Sequence, residues 1–85
     1  MSRIFKYDFG LIRHGVKTII ANNPVYQILD IQEQDGNLVM WATVGDKAAP
    51  HDISMETVWT GEPTPNKTYF KTIQGSDGLV YHIFI

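Results

Sequence analysis

The last eight residues, from Gly78 to Ile85, constrain the fold more than any other segment. Side chains alternate along this β-type run, with Leu79, Tyr81, Ile83 and Ile85 on one face and Val80, His82 and Phe84 on the other. Both faces are largely apolar, so both need cover. Because a chain of 85 residues usually buries only one face of such a strand, we expect a second sheet or a second subunit to cover the other.

Short strand-like segments recur along the rest of the chain and are separated by turn residues. The predicted strands cover 3–9, 16–21, 25–34, 38–44, 51–60, 67–74 and 79–85. Asp35-Gly36 is the strongest turn signal, since a type I′ hairpin turn needs positive φ at two consecutive positions. Asp52 is a possible helix start, but the run from Thr57 to Thr60 favours strand. We predict one all-β domain over residues 1–85, a small antiparallel sandwich or half-open barrel of about seven strands.

Composition excludes several classes of protein. The chain has no cysteine, so it has neither disulfides nor thiolate metal ligands. No apolar segment approaches the length of a membrane span, and charged residues interrupt the N-terminal segment where a signal peptide is apolar. We therefore expect a soluble intracellular protein with no membrane partner.

Charge is distributed unevenly although the net charge is only −2. The first 17 residues hold four basic side chains against one acidic side chain, whereas residues 30–62 hold seven acidic side chains against one lysine. One interpretation is that these segments are neighbouring strands whose side chains pair, or solvated faces; the other is an anion site near the N-terminal segment. A net acidic domain lacks the basic stripe that duplex binding requires, so we predict no DNA or RNA duplex partner.

Side chains arranged for catalysis or metal binding are scarce. The sequence has no Gly-x-Ser-x-Gly elbow and no glycine loop leading into a helix, and its three histidines lack metal-ligand spacing. We predict no enzymatic activity, no metal and no cofactor. His82 is interpreted as a hydrogen-bonded core or interface histidine. Trp41 is expected in the core, while Trp59, at a strand end, fits a core cap and a pocket mouth or interface equally well.

Four segments resemble a family of short proteins that occur mainly in bacteriophages and prophages and are known only as a domain of unknown function. The segments are Ile4-Phe5-Lys6-Tyr7, Val39-Met40-Trp41-Ala42, Thr60-Gly61-Glu62-Pro63 and Leu79-Val80-Tyr81-His82-Ile83-Phe84. Their order extends the similarity over nearly the whole chain, although Ile85 stands where a more polar residue is expected. The resemblance implies a viral accessory protein in the cytoplasm of the infected bacterial host, and it supplies no catalytic residues.

The leading functional hypothesis is a non-enzymatic homo-oligomer that sequesters a small anionic, nucleotide-like host immune signal and so evades anti-phage defence. By analogy with small phage proteins that act as signal sponges, aromatic rings would stack on a base while basic side chains contact phosphate. The predicted ligand-binding residues are Arg3, Arg13 and Lys17 for phosphate, Tyr7, Trp59 and Tyr69 for stacking, and His82 as a polar contact.

An alternative hypothesis is a protein-interaction module that inhibits a host or phage protein. Such a module would use exposed strand edges or an aromatic patch and would need no pocket. A minor structural component of the virion is less favoured, because an 85-residue chain without extensions has little reach for capsid contacts.

Overall fold

A computed structural model describes all residues from 1 to 85 and contains seven β-strands. The strands are β1 (Ser2–Leu11), β2 (Gly15–Ala21), β3 (Val25–Gln34), β4 (Asn37–Gly45), β5 (His51–Val58), β6 (Tyr69–Gln74) and β7 (Val80–Phe84). The all-β prediction is confirmed, and the segment after Asp52 is strand. The structure holds no helix with the length and apolar character needed to cross a bilayer.

The strands form two antiparallel sheets that do not close into a barrel. The first sheet has the order β1-β4-β3 and the second has the order β2-β5-β7-β6. Core residues come from both sheets: Phe9, Ile31, Leu38, Met40 and Ala42 from the first, and Met55, Ile73 and Ile83 from the second. Because the two sheets share one apolar core, the architecture is a sandwich.

The turn between β3 and β4 follows the sequence prediction. Asp35 has φ of 50° and Gly36 has φ of 85°, and the flanking residues Gln34 and Asn37 pair across the hairpin. Positive φ is tolerated by glycine and, at single positions, by aspartate. The two-residue hairpin turn is therefore confirmed.

Trp41 departs from its predicted place in the core. It alternates with Met40 and Ala42, which are buried between the sheets, so its side chain lies on the outer face of the first sheet. There it is half-buried beneath Lys6, whose Nζ is 5.8 Å from the centre of the indole ring. The long side chain of Lys6 therefore covers part of the Trp41 indole, which the sequence prediction had expected core residues to cover.

The pairing interpretation of the uneven charge holds for the side chain of Arg3, while the other two salt bridges to the acidic segment come from lysines outside the first 17 residues. Salt bridges join Arg3 to Asp46 at 3.4 Å, Lys67 to Glu56 at 3.1 Å and Lys71 to Asp30 at 2.7 Å. The side chains of these pairs are between 27% and 68% exposed, so solvent screens them and each pair contributes little to stability.

The two faces of β7 are covered by different parts of the same chain. Tyr81 and Ile83 are 2% and 0% exposed on the core side. Phe84 points to the opposite face and is still only 7% exposed. The connection between β5 and β6, residues 59–68, lies over that face and is named the cover loop here. The second cover, expected from another sheet or subunit, is this loop.

The cover loop is longer than the turn predicted at 61–66. β5 ends at Val58 because Gly61, with φ of 95°, bends the chain away soon afterwards, and the two prolines that follow have no amide donors for a ladder. At the other end, Thr68 and Ile85 exchange backbone hydrogen bonds of 3.0 and 2.8 Å. The loop is thereby tied to the last residue of the chain.

Candidate functional site

A cavity of about 250 Å³ lies between the outer face of the second sheet and the cover loop. Its lining residues are Val58, Trp59, Thr60, Gly61, Glu62, Thr64, Tyr69, His82 and Phe84. The strand register explains the sheet side of this cavity. His82 pairs with both Val58 and Thr72, and Phe84 pairs with Tyr69. Cross-strand partners point to the same face, so these side chains form neighbouring rows beneath the loop.

A tight turn begins the cover loop and positions an acidic side chain. The amide of Glu62 donates to the carbonyl of Trp59 at 3.2 Å, and the amide of Trp59 donates to Glu62 Oε1 at 2.7 Å. Gly61 supplies the positive φ that this turn needs before Glu62. The two reciprocal hydrogen bonds fix the carboxylate at the cavity wall.

The indole of Trp59 is held between two other rings. The imidazole of His14, in the β1–β2 connection, stacks on it with centroids 5.3 Å apart and planes 15° from parallel. Tyr81 contacts it at a centroid distance of 4.8 Å and an angle of 46°. His14 Nε2 also lies 2.6 Å from Glu62 Oε1. The tryptophan and the turn after it are therefore clamped from outside the cavity.

His82 uses both ring nitrogens within the protein. Its Nε2 is 2.8 Å from the hydroxyl of Thr60, and its Nδ1 is 3.0 Å from the hydroxyl of Thr72. The Thr72 hydroxyl in turn lies 2.8 Å from the hydroxyl of Tyr69. In neutral imidazole one nitrogen donates and the other accepts, and the flexible hydroxyls satisfy either tautomer. The prediction of a hydrogen-bonded histidine is confirmed.

Tyr69 offers the most accessible aromatic surface of the cavity. Its side chain is 55% exposed, and its ring meets Phe84 edge to face at 5.7 Å and 72°. Trp59 differs because His14 is stacked on its indole. Tyr69 is therefore the side chain best placed to stack on a planar ligand ring.

The cavity carries negative rather than positive charge. Glu62 is its only acidic lining residue, and no lysine or arginine is among the lining residues. Lys67 belongs to the cover loop, but its amine pairs with Glu56 at 3.1 Å. A phosphate group therefore has no cationic partner among the lining residues.

The structure brings three of the seven predicted ligand-binding residues together, namely Trp59, Tyr69 and His82. Arg3 lies on the first sheet, where it pairs with Asp46. Tyr7, also on that sheet, contacts Phe5 and has a buried hydroxyl without a hydrogen-bond partner, and burial raises its pKa. Arg3 and Tyr7 therefore lie outside the cavity.

Arg13 and Lys17 differ from each other in their surroundings. Arg13 is exposed and precedes His14, and its carbonyl accepts a hydrogen bond from the hydroxyl of Thr57 beneath the cavity. Lys17 is only 8% exposed and donates to the carbonyl of Phe9 at 3.4 Å. Burial, and then the charge of Arg13, lower the pKa of Lys17. Lys17 is thus turned toward the core, whereas Arg13 is open to solvent near the clamp.

Sequence reasoning missed several residues that build this site, above all His14, Glu62 and the two threonines on either side of His82. One signal was present, because Thr60-Gly61-Glu62-Pro63 is among the segments that carry the family resemblance. Gly61 and Pro63 on either side of Glu62 indicate a turn, and a turn restricts where the side chain between them can lie. His14 carried no such signal, since its contact depends on how two distant connections meet.

Fold and site together define a small two-sheet β-protein with an aromatic-lined cavity beneath one loop. The whole chain, residues 1–85, matches the domain of unknown function DUF7352, and it belongs to that family. Comparison with curated proteins found no match, and comparison with solved structures found none either. The resemblance to a domain of unknown function is therefore confirmed, while a bacteriophage or prophage origin stays a prediction.

Proposed function

We propose that this protein is a non-enzymatic binder that holds the planar ring of a small nucleotide-like ligand in the cavity beneath the cover loop. The observation that carries the proposal is the meeting of Trp59, Tyr69 and His82 at one cavity. An exposed tyrosine ring beside a hydrogen-bonding network suits a planar heterocycle, because bases stack on aromatic faces and donate or accept at their edges.

The size of the cavity limits the part of the ligand that enters. Pockets for drug-sized ligands hold roughly 300–1,000 Å³, whereas this cavity holds about 250 Å³. One base with part of its sugar fits this volume. The ligand's remaining groups extend through the mouth of the cavity.

The phosphate groups of the ligand lie outside the cavity in this proposal. The carboxylate of Glu62 repels them inside, while the exposed Arg13 precedes the His14 clamp. Arginine binds phosphate through two parallel N–H groups. Arg13 is thus the phosphate contact we retain, and the buried Lys17 and the distant Arg3 are left out.

One pair of side chains in the cavity favours an enzyme. Thr60 and His82 are 2.8 Å apart, within the reach of a nucleophile and its base. The group that orients His82 from the other side is the neutral hydroxyl of Thr72 rather than a carboxylate. A neutral hydroxyl stabilises the imidazolium that forms when histidine takes a proton much less than a carboxylate does. Binding without chemistry therefore accounts better for this pair.

The biological setting follows from the family resemblance. We propose a bacteriophage or prophage accessory protein that acts in the cytoplasm of the infected host and removes a nucleotide-like immune signal by sequestration. The homo-oligomer was predicted because a second apolar face of β7 needed cover, and that argument no longer applies, because the cover loop buries Phe84. Its present support is Val16 and Ile20 on edge strand β2, which are 60% and 67% exposed.

Native mass spectrometry with a panel of nucleoside monophosphates and cyclic dinucleotides tests the proposal. We expect an unmodified ligand mass bound to the protein, and loss of that mass in Tyr69→Ala. Tyr26→Ala is the matched control, since Tyr26 is 67% exposed but lies on β3 in the first sheet. A changed ligand mass would indicate an enzyme. Absence of binding to every member of the panel would leave the protein-interaction alternative.

A further inference from the structure

One carboxylate oxygen of Glu62 has hydrogen-bond partners within the protein, and the other has none. Oε1 accepts from the amide of Trp59 at 2.7 Å and lies 2.6 Å from Nε2 of His14. Oε2 has no donor within the protein, although the side chain lines the cavity. A carboxylate has about four lone-pair sites over its two oxygens, so Oε2 keeps room for two donors.

Two donors in the lining are also without partners. The hydroxyl of Thr64 and the indole N–H of Trp59 belong to lining residues and make no hydrogen bond within the protein. The lining therefore includes an acceptor and two donors without protein partners, in addition to the exposed ring of Tyr69. This pattern selects a ligand edge that combines N–H donors with an acceptor.

Resting on the proposed function, we infer that the cavity takes a guanine-type base, with its N1–H and 2-amino group donating to Glu62 Oε2. Guanine carries these two donors side by side, with the acceptor O6 next to them for Thr64 or Trp59. Adenine presents the acceptor N1 beside a single amino group, so only the amino group can donate to Oε2 and N1 would face the carboxylate unpaired.

Discrimination between bases by such a paired contact is substantial. Guanine donates twice to Oε2 and adenine at most once, and one hydrogen bond to a charged group changes affinity by about ten- to 100-fold. We expect the wild-type protein to bind guanosine 5′-monophosphate at least about tenfold more tightly than adenosine 5′-monophosphate. Inosine 5′-monophosphate, which lacks the 2-amino group, falls between them.

The preference for guanine can be tested by isothermal titration calorimetry of the wild-type protein at pH 7, by comparing different ligands. The panel is guanosine, inosine and adenosine 5′-monophosphates together with 1-methylguanosine 5′-monophosphate. Methylation at N1 removes one donor and places a methyl group against Oε2, so we expect binding to be lost. This test requires no mutation and is independent of folding.

Glu62→Gln gives a second, independent test. The amide oxygen of glutamine can still accept from the Trp59 amide, while its NH₂ replaces Oε2 by a donor. We expect the preference to reverse toward adenine. Glu33→Gln is the matched control, because Glu33 also accepts a backbone amide at 2.7 Å, that of Ser76, and does not line the cavity. Its base preference should equal that of the wild type.

The outcomes separate this inference from the function on which it rests. If adenosine and guanosine monophosphates bind within twofold of each other and Tyr69→Ala abolishes both, the guanine inference is wrong and the binding function stands. Unchanged binding of 1-methylguanosine monophosphate would also overturn the role of Glu62. If no nucleotide binds to the wild-type protein, the proposed function fails, and the inference fails with it.

Discussion

The imidazole of His14 lies almost parallel to the indole of Trp59, with ring centroids 5.3 Å apart and planes 15° from parallel. His14 comes from the β1–β2 connection and Trp59 from the cover loop, so the stack joins two connections that are distant in sequence. His14 does not line the cavity itself. The position of the cavity wall therefore depends on a residue that a ligand does not touch.

His14→Ala should loosen this wall. We expect a loss of about 1 kcal/mol in the free energy of unfolding, the scale of an aromatic pair, and a red-shifted emission from Trp59. Urea unfolding followed by fluorescence in a Trp41→Phe background measures both. His51→Ala is the control, since the hydrogen bond of the His51 ring goes to the carbonyl of Ala49 at 3.0 Å and no aromatic ring stacks on it. An unchanged midpoint and emission in His14→Ala would show that the stack does not stabilise the loop.

Arg13→Gln should weaken the binding of nucleotides and leave the binding of nucleosides unchanged. The reason is that Arg13 is assigned to the phosphate outside the cavity, where no base is contacted. Titration calorimetry with guanosine and its 5′-monophosphate measures the difference, for which we expect about tenfold. Arg3→Gln is the matched control, because Arg3 pairs with Asp46 on the other sheet. Equal loss for both ligands would exclude a phosphate-specific role.

Lys17→Met should stabilise the protein at neutral pH by about 1 kcal/mol, since a buried amine with one long hydrogen bond is replaced by an apolar side chain. Burial lowers the pKa of Lys17 from 10.5, so the folded wild type gains stability as pH rises from the folded-state pKa toward 10.5. The variant lacks that gain. Denaturant titrations between neutral and alkaline pH measure it, and a less stable variant at pH 7 would contradict the prediction.

Tyr81→Phe should change how the free energy of unfolding depends on pH in the alkaline range. The Tyr81 hydroxyl donates to Asp77 at 2.6 Å, and burial together with this carboxylate raises the pKa of Tyr81 from 10.0 to about 12. Its contribution is complete below pH 10 and is lost as pH rises toward about 12. Thermal unfolding should show the wild type losing more stability than the variant over that range. Tyr26→Phe, at an exposed tyrosine, should lose as much as the wild type.

Features set by neighbouring residues were predictable from sequence. Asp35-Gly36 indicates its turn because the required backbone angles are costly for other residues, and the alternation in the final strand correctly separates Ile83 from Phe84. The row of Val58, His82 and Thr72 was not predictable. It depends on the register of strands that are far apart in sequence, and a shift of one residue would turn His82 to the other face.

Lys17 shows how residue type can mislead. Its spacing from Ile19 and Ala21 places all three on one face of β2, and Ala21 is fully buried. The positive charge favoured a surface position and a phosphate contact. Period-two spacing was the better guide, because the main-chain direction of the strand fixes the face while the flexible amine reaches a backbone carbonyl at the edge.

Every residue that lines the cavity lies between Val58 and Phe84 of a single chain. Each copy therefore carries a complete compartment, so a monomer should bind the proposed ligand with a hyperbolic saturation curve, and a Hill coefficient above 1 would show that copies are coupled in an oligomer. Such a protein would buffer its ligand mole for mole. The number of copies would then set how much of the proposed ligand is held.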